Sequence, residues 1–289
     1  MITFKRILFP VDFSDQCRAV VPCVKAMAER FRSELVILHV LDLPQSWFGS
    51  PEAAAWAALI NADQLRVQGN VAVVRFLAQE FSGMLVTGQV AEGEAALQIA
   101  DFAQDNSTDL IMMPTHGYGP FRALLLGSVT AKVLHDAHCP VWTGVHASQM
   151  TAHPPQRWKR MLCAADAATP DAHVLKWAAE FAEEQGAGLQ LVHAVLGADP
   201  TDKENDPGLY QFLFDTAREQ IDKLQAEAGT NLDVCLMGGA VDRVVHRAAV
   251  DYDADLIIIG RGTIQRPLGR LRSSAYSIVR EAPCPVISI

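Results

Sequence analysis

The 289-residue sequence has no apolar run of the roughly 18–20 residues that a membrane span needs, because charge or polarity interrupts every candidate. It has no excess of basic charge either. Its 24 Lys and Arg face 33 Asp and Glu, and a net charge of −9 argues against a nucleic-acid backbone binder. No C-x-x-C pair occurs among Cys17, Cys23, Cys139, Cys163, Cys235 and Cys284, so neither a disulfide framework nor a cysteine-rich zinc site is indicated. The opening MITFKRILFPVDFSD reads as a strand running into a turn, without the apolar core and cleavage site of a signal peptide. A cytoplasmic location is therefore expected. The remaining composition, 50% hydrophobic and 20% charged, is that of a globular protein able to bury sizeable cores. At about 150 residues per domain, the length suggests two.

Catalytic signatures are missing too. There is no G-x-x-x-x-G-K-[ST] phosphate loop and no G-x-S-x-G nucleophile elbow. Gly260-Arg261-Gly262 starts like a dinucleotide fingerprint, but Gln265 stands where the third glycine belongs. Gly238-Gly239-Ala240-Val241-Asp242 faintly resembles the loop of ATP pyrophosphatases, with the wrong spacing and after a third strand rather than a first. Asp12 and Asp166 are single carboxylates without an acid–base partner nearby in sequence. His135 and His138 are helically spaced, yet no acid or cysteine constellation completes a metal site around them. The expectation is a protein that is not an enzyme and holds no metal.

What is present is a repeat. KRILFPVD at 5–12 returns as KRMLCAAD at 159–166, and LVILHV at 35–40 returns as LQLVHA at 189–194. DLIMMP at 109–114 returns as DLIIIG at 255–260, and AHCPVWT at 137–143 as APCPVIS at 282–288. The offset drifts from 154 to 145, so the first copy carries about nine more interior residues. This predicts two homologous domains, 1–146 and 158–289, joined by a polar, proline-containing linker at 147–157.

Short apolar, β-branched runs at 5–11, 35–41, 84–90, 109–113 and 140–145 have the lengths of buried strands. Between them lie helical periodicities: Val20, Val24, Met27 and Phe31, then Val67, Val71, Val74, Ala78 and Phe81. The second copy repeats them with Val174, Trp177 and Phe181, then Leu213, Ala217, Ile221, Leu224 and Ala228. Thr169-Pro170-Asp171 reads as a cap, a first-turn proline and a first-turn acid. Strand alternating with helix implies an α/β fold, a parallel sheet with helices on both faces and ligands beyond the strands' carboxyl ends. His39 and His193, at equivalent strand ends, read as hydrogen-bonded structural histidines. Cys139-Pro140 and Cys284-Pro285 mark the start of the last strands, and Trp47-Phe48 is either an exposed contact or a buried cover.

Two loops of the first copy fall at strand ends, Pro10-Val11-Asp12 and Pro114-Thr115-His116-Gly117. The second continues to Gly127-Ser128, which should open the last helix, where free amides and the positive dipole end can hold an anion. Strand-Pro-x-Asp, L-H-V, T-H-G, nine residues to Gly-Ser and a closing C-P-V strand resemble the universal stress protein family, over both copies and nearly the whole chain. The resemblance implies two Rossmann-like, adenine nucleotide alpha hydrolase-like domains, each a five-stranded parallel sheet. It further implies a stress-response or regulatory protein that binds ATP, with Mg²⁺, with little or no turnover. In its ATP-binding members the loop is G-x-x-G, nine residues, then G-[S/T]. Carried onto this sequence, Asp12 and Val40 would flank adenine, and Gly117, Gly127, Ser128 and Val129 would surround ribose and phosphates. Pro10, Val11, Met113 and Pro114 complete the implied set. Family members pair domains through their last strands, which implies an intramolecular pseudo-dimer and leaves a homo-oligomer open.

Pro114 departs from the pattern, because the family's first loop glycine belongs there. Proline lacks an N–H and adds bulk beside the expected ribose; one lost hydrogen bond costs about 1 kcal/mol, a several-fold loss of affinity. The second copy departs further. Gly260 is kept, but Thr263 replaces the second glycine, Arg272-Ser273 stands in for Gly-Ser, and Ala164 and Ala194 replace the proline and valine. Arg261, Arg266, Arg270 and Arg272 make this loop basic, either as a phosphate grip or as a solvated surface loop. The alternatives to a nucleotide-binding regulator are an interaction module with decayed sites and a slow ATP hydrolase.

Overall fold

The computed structural model describes residues 2–41, 62–115, 126–144, 157–166, 171–198, 206–261 and 273–289. The chain divides into two compact units, one of Thr3–Pro154 and the other chiefly Pro155–Ile289. The first contains β1 (Arg6–Pro10), α1 (Asp15–Phe31), β2 (Glu34–Leu41), α2 (Ala62–Glu80), β3 (Val86–Glu92), α3 (Ala95–Asp105), β4 (Leu110–Met113), α4 (Ser128–Asp136) and β5 (Val141–Thr143). The second contains β6 (Arg160–Ala164), α5 (Ala172–Gln185), β7 (Gly188–Val195), α6 (Pro207–Ala228), β8 (Asp233–Gly238), α7 (Val241–Tyr252), β9 (Leu256–Ile259), α8 (Ser273–Glu281) and β10 (Val286–Ser288).

Within the first unit the strand order is β3-β2-β1-β4-β5, and every pair is parallel. The second repeats it as β8-β7-β6-β9-β10. Chain direction across the sheet therefore reverses between β1 and β4, and between β6 and β9. Right-handed crossovers place α1 and α2 on one face of the first sheet and α3 and α4 on the other. The central strands are buried on both faces: Ile7, Leu8 and Phe9 of β1 and Leu110, Ile111 and Met112 of β4 are inaccessible to solvent. The third strands differ from expectation. β3 and β8 are sheet edges and half-exposed, because a strand with one neighbour and incomplete helix cover cannot be enclosed.

Helix ends follow local chemistry. Ser14 caps α1, its Oγ accepting the Cys17 N–H at 3.1 Å, and Asp206 caps α6 ahead of Pro207. Asp171 is the cap of α5, its Oδ1 accepting the His173 N–H at 3.1 Å, so it is not a first-turn acid. Thr169 and Pro170 lie outside the described residues.

The apolar face read for α2 is corrected. Val67, Val71 and Val74 are exposed, Val74 to 66%, whereas Val73 and Phe76 are 3% and 1% exposed; Phe81, just past the helix, is buried as expected. The reason is tertiary. Gly88 on β3 leaves the space that Val73 occupies, a Cβ there lying 2.5 Å from Val73 Cγ1. Phe76 packs edge-on against Phe13 at 5.5 Å.

Candidate ligand sites at the strand ends

In the first unit, the Val11 N–H donates to Leu38 O at 2.8 Å, carrying the β1–β2 ladder one residue past β1. His39 returns the link, its Nδ1–H donating to Val11 O at 2.9 Å. Pro10, Val11 and Asp12 are thus clamped beside β2, where Val40 is half-buried. Asp12 Oδ1 accepts the Ser14 N–H at 3.0 Å and the Ser14 hydroxyl at 2.6 Å, so this carboxylate organises the start of α1. Its charge and, above all, burial push the neighbouring Cys17 thiol up to about 12. Phe13 takes the left-handed region at φ 62° and lays its ring 4.5 Å from that of His39.

On the other side of the reversal, Met113 ends β4, buried, and Pro114 follows half-buried. Pro114 O accepts the Thr130 hydroxyl at 3.1 Å, and Thr115 O accepts the Gly127 N–H at 2.9 Å. These two bonds pin the start of α4 against the end of β4. Gly127 is its N-cap and supplies no side-chain acceptor; Ser128 is exposed and Val129 half-buried in the first turn. The geometry presents an uncapped helix start, a suitable place for an anion. Because β1 and β4 are adjacent, the Asp12 and Gly127 segments stand at the same reversal. Gly117 lies outside the described residues.

The second unit reuses the clamp. The Ala165 N–H donates to Val192 O at 3.0 Å, and His193 Nδ1–H donates to Ala165 O at 3.0 Å. Burial lowers the pKa of His193, with the bond to Ala165 opposing. Here the strand ends open into a cavity of about 340 Å³, lined by Ala164 of β6, Ala194 of β7, Ile259 of β9 and the Gly260 that follows it, among others. Among the described residues no cluster of His, Cys, Asp or Glu could hold a metal ion, and no helix is long and apolar enough to cross a membrane. Arg266, Arg270 and Arg272 lie outside the described residues.

The model of the universal stress protein family matches residues 3–143 and again 157–289. The chain belongs to the universal stress protein family. Universal stress protein MJ0531 of Methanocaldococcus jannaschii is 31% identical over 140 residues, 48% of this chain and 80% of that protein. A universal stress protein of Thermus aquaticus is also 31% identical over 140 residues, 48% of this chain and 96% of that one. Each match spans about half of this chain, as a duplicated family domain requires. Among solved structures, a universal stress protein from Archaeoglobus fulgidus aligns over 100% of this chain and 97% of its own, with a TM-score of 0.66 and 21% identity. That likeness shows the fold.

Within this universal stress fold, both histidines anticipated as structural are so, each making the same bond in its own copy. Val141 and Val286 begin the last strands directly after Cys139-Pro140 and Cys284-Pro285, as expected. The cavity of the second unit was missed. Its signal is a run of small residues: Ala164, Ala165, Ala194 and Gly260 stand where the first copy has Pro10, Val11, Val40 and Pro114.

Proposed function

We propose that the first unit binds an adenine nucleotide, ATP with Mg²⁺, and that the protein is a regulatory binder rather than a catalyst. The observation that carries this reading is the uncapped start of α4, held beside the end of β4 at the sheet's reversal. The α4 amides and the Ser128 hydroxyl would take phosphate oxygens, with Gly127 allowing close approach and Val129 beside them. Pro10, Val11, Asp12 and Val40 would border the base, and Met113, Pro114 and Gly117 the ribose. Asp12 would act as much through the turn it holds as through direct contact, since Oδ1 already serves Ser14. The affinity required is modest, a Kd of about 1 mM corresponding to about −4.1 kcal/mol.

Mass spectrometry of ligand released from the purified protein, followed by ATP titration with Mg²⁺, tests the reading. Saturable binding that Gly127→Trp abolishes supports it. Absence of binding at several millimolar ATP would end it.

Phe13 and Pro114 favour a second reading, an interaction module whose nucleotide site has decayed. The Phe13 ring occupies space between His39 and Phe76, and the proline nitrogen has no proton to give. Under this reading Gly127→Trp leaves partner capture intact and no nucleotide is found.

A further inference from the structure

The cavity of the second unit comes from side chains that are not there. Proline, valine, valine and proline at four strand-end positions of the first copy become Ala164, Ala165, Ala194 and Gly260 in the second, and all four line the cavity. Its volume, about 340 Å³, falls within the range of small-molecule sites, about 300–1,000 Å³. The surrounding helices do not fill the space. Val174 of α5, Leu213 and Leu224 of α6 and Ile278 of α8 form apolar walls around it.

The polar side chains on the described lining are carboxylates, hydroxyls, an amide and an imidazole. Asp166 and Asp171 contribute carboxylates, and no Lys or Arg is among the described lining residues. Thr216 and Gln220 lie four apart on α6, on one face of that helix, and both reach the cavity. His193 commits Nδ1–H to Ala165, which leaves Nε2 of the neutral ring as an acceptor.

We infer that this cavity binds a small, largely apolar molecule that has at least one hydrogen-bond donor. The apolar walls supply the affinity, and Nε2 of His193 and the side chains of Thr216 and Gln220 orient the donor. The first unit's nucleotide site is a separate matter, since none of its residues lines this cavity.

The 289-residue chain can be titrated with N-phenyl-1-naphthylamine, an uncharged fluorescent amine. The uncharged probe should bind with one site per chain. Thr216→Trp, at a half-buried lining position, should weaken it at least tenfold with Tm unchanged. If that variant lowers Tm, Gln220→Trp at an exposed position serves instead. Gly127→Trp should leave the uncharged probe's titration unaltered, so failure here and failure of ATP binding in the first unit are separable. Non-saturable binding, or binding that neither tryptophan variant affects, overturns the inference.

Discussion

His193 donates its Nδ1–H to the carbonyl oxygen of Ala165 at 3.0 Å, closing the end of β6 onto β7. Burial is the largest influence on this imidazole and lowers its pKa from 6.5. The unfolded chain therefore takes up the proton first as pH falls. Stability conferred by the neutral ring is complete above about 6.5 and declines as pH drops through the unfolded value towards the folded one. Thermal unfolding followed from pH 7.5 to 5 should show Tm falling, and His193→Gln should reduce that slope. At pH 7.5 the variant should lose about 1 kcal/mol for the missing hydrogen bond. An unchanged slope would show that His193 does not couple to folding.

Phe13 combines two opposed effects, a left-handed backbone and a ring packed on His39 and Phe76. Phe13→Ala loses the ring contacts and keeps the backbone strain, whereas Phe13→Gly loses both. Both variants should be less stable than the parent. Phe13→Gly should nevertheless exceed Phe13→Ala by about 1 kcal/mol, read from urea midpoints at constant m-value. Equal midpoints would mean that the backbone at this position is not strained.

Pro114→Gly restores an N–H where a ribose or phosphate would approach. If ATP binds the first unit, its Kd should fall several-fold, matching about 1 kcal/mol for one hydrogen bond. The Pro114 carbonyl bond to Thr130 is unaffected by the change, so the α4 start stays pinned. Isothermal titration of the parent and variant side by side decides it.

Gly238 ends β8 where the chain passes the backbone of Ala198. A Cβ at Gly238 would lie 1.6 Å from Ala198 O, far inside contact distance. Gly238→Ala must therefore displace backbone, at a cost of about 3 kcal/mol and roughly 10 °C in Tm. A differential scanning measurement showing a loss under 2 °C would contradict the close approach.

The six cysteines form no disulfide with one another, and four of them, Cys17, Cys23, Cys163 and Cys284, are buried. Burial pushes Cys17, Cys163 and Cys284 up to about 12 and Cys23 up to about 11. At pH 8 their thiolate fractions are negligible, so a disulfide reagent should modify the half-buried Cys139 and Cys235 first. The buried four should react only after denaturant is added. Mass spectrometry of partially labelled protein reads the order directly.

Much of the fold was legible because its signals are local or repeated. Eight-residue KRILFPVD and KRMLCAAD set the β1 and β6 positions, and both copies of the clamp follow from equivalent L-H-V and V-H-A strand ends. The α1, α5 and α6 faces were readable from periodicity: Val20, Val24 and Met27, then Val174 and Phe181, then Ala217, Ile221, Leu224 and Ala228 are all buried. α2 was not, because its valines occur on two faces and the choice depends on Gly88 of a distant strand. The Thr169-Pro170-Asp171 signal marked a helix start correctly but placed the cap two residues early, as Asp171 could act in either role.

The sequence by itself determined that one α/β unit is written twice, in which order strands and helices alternate, and which histidines and glycines stand at the strand ends. Residue spacing and composition carry that information without any knowledge of neighbours. Only the tertiary structure decided what the strand ends become. In the first unit, Asp12 turns to Ser14 and Phe13 folds back onto His39, while two hydrogen bonds hold the α4 start in place. In the second, four small residues more than ninety positions apart at their extremes meet around one volume that no helix fills. Whether a small side chain means an empty space depends on what packs against it, and that is fixed by contacts between segments remote in the chain.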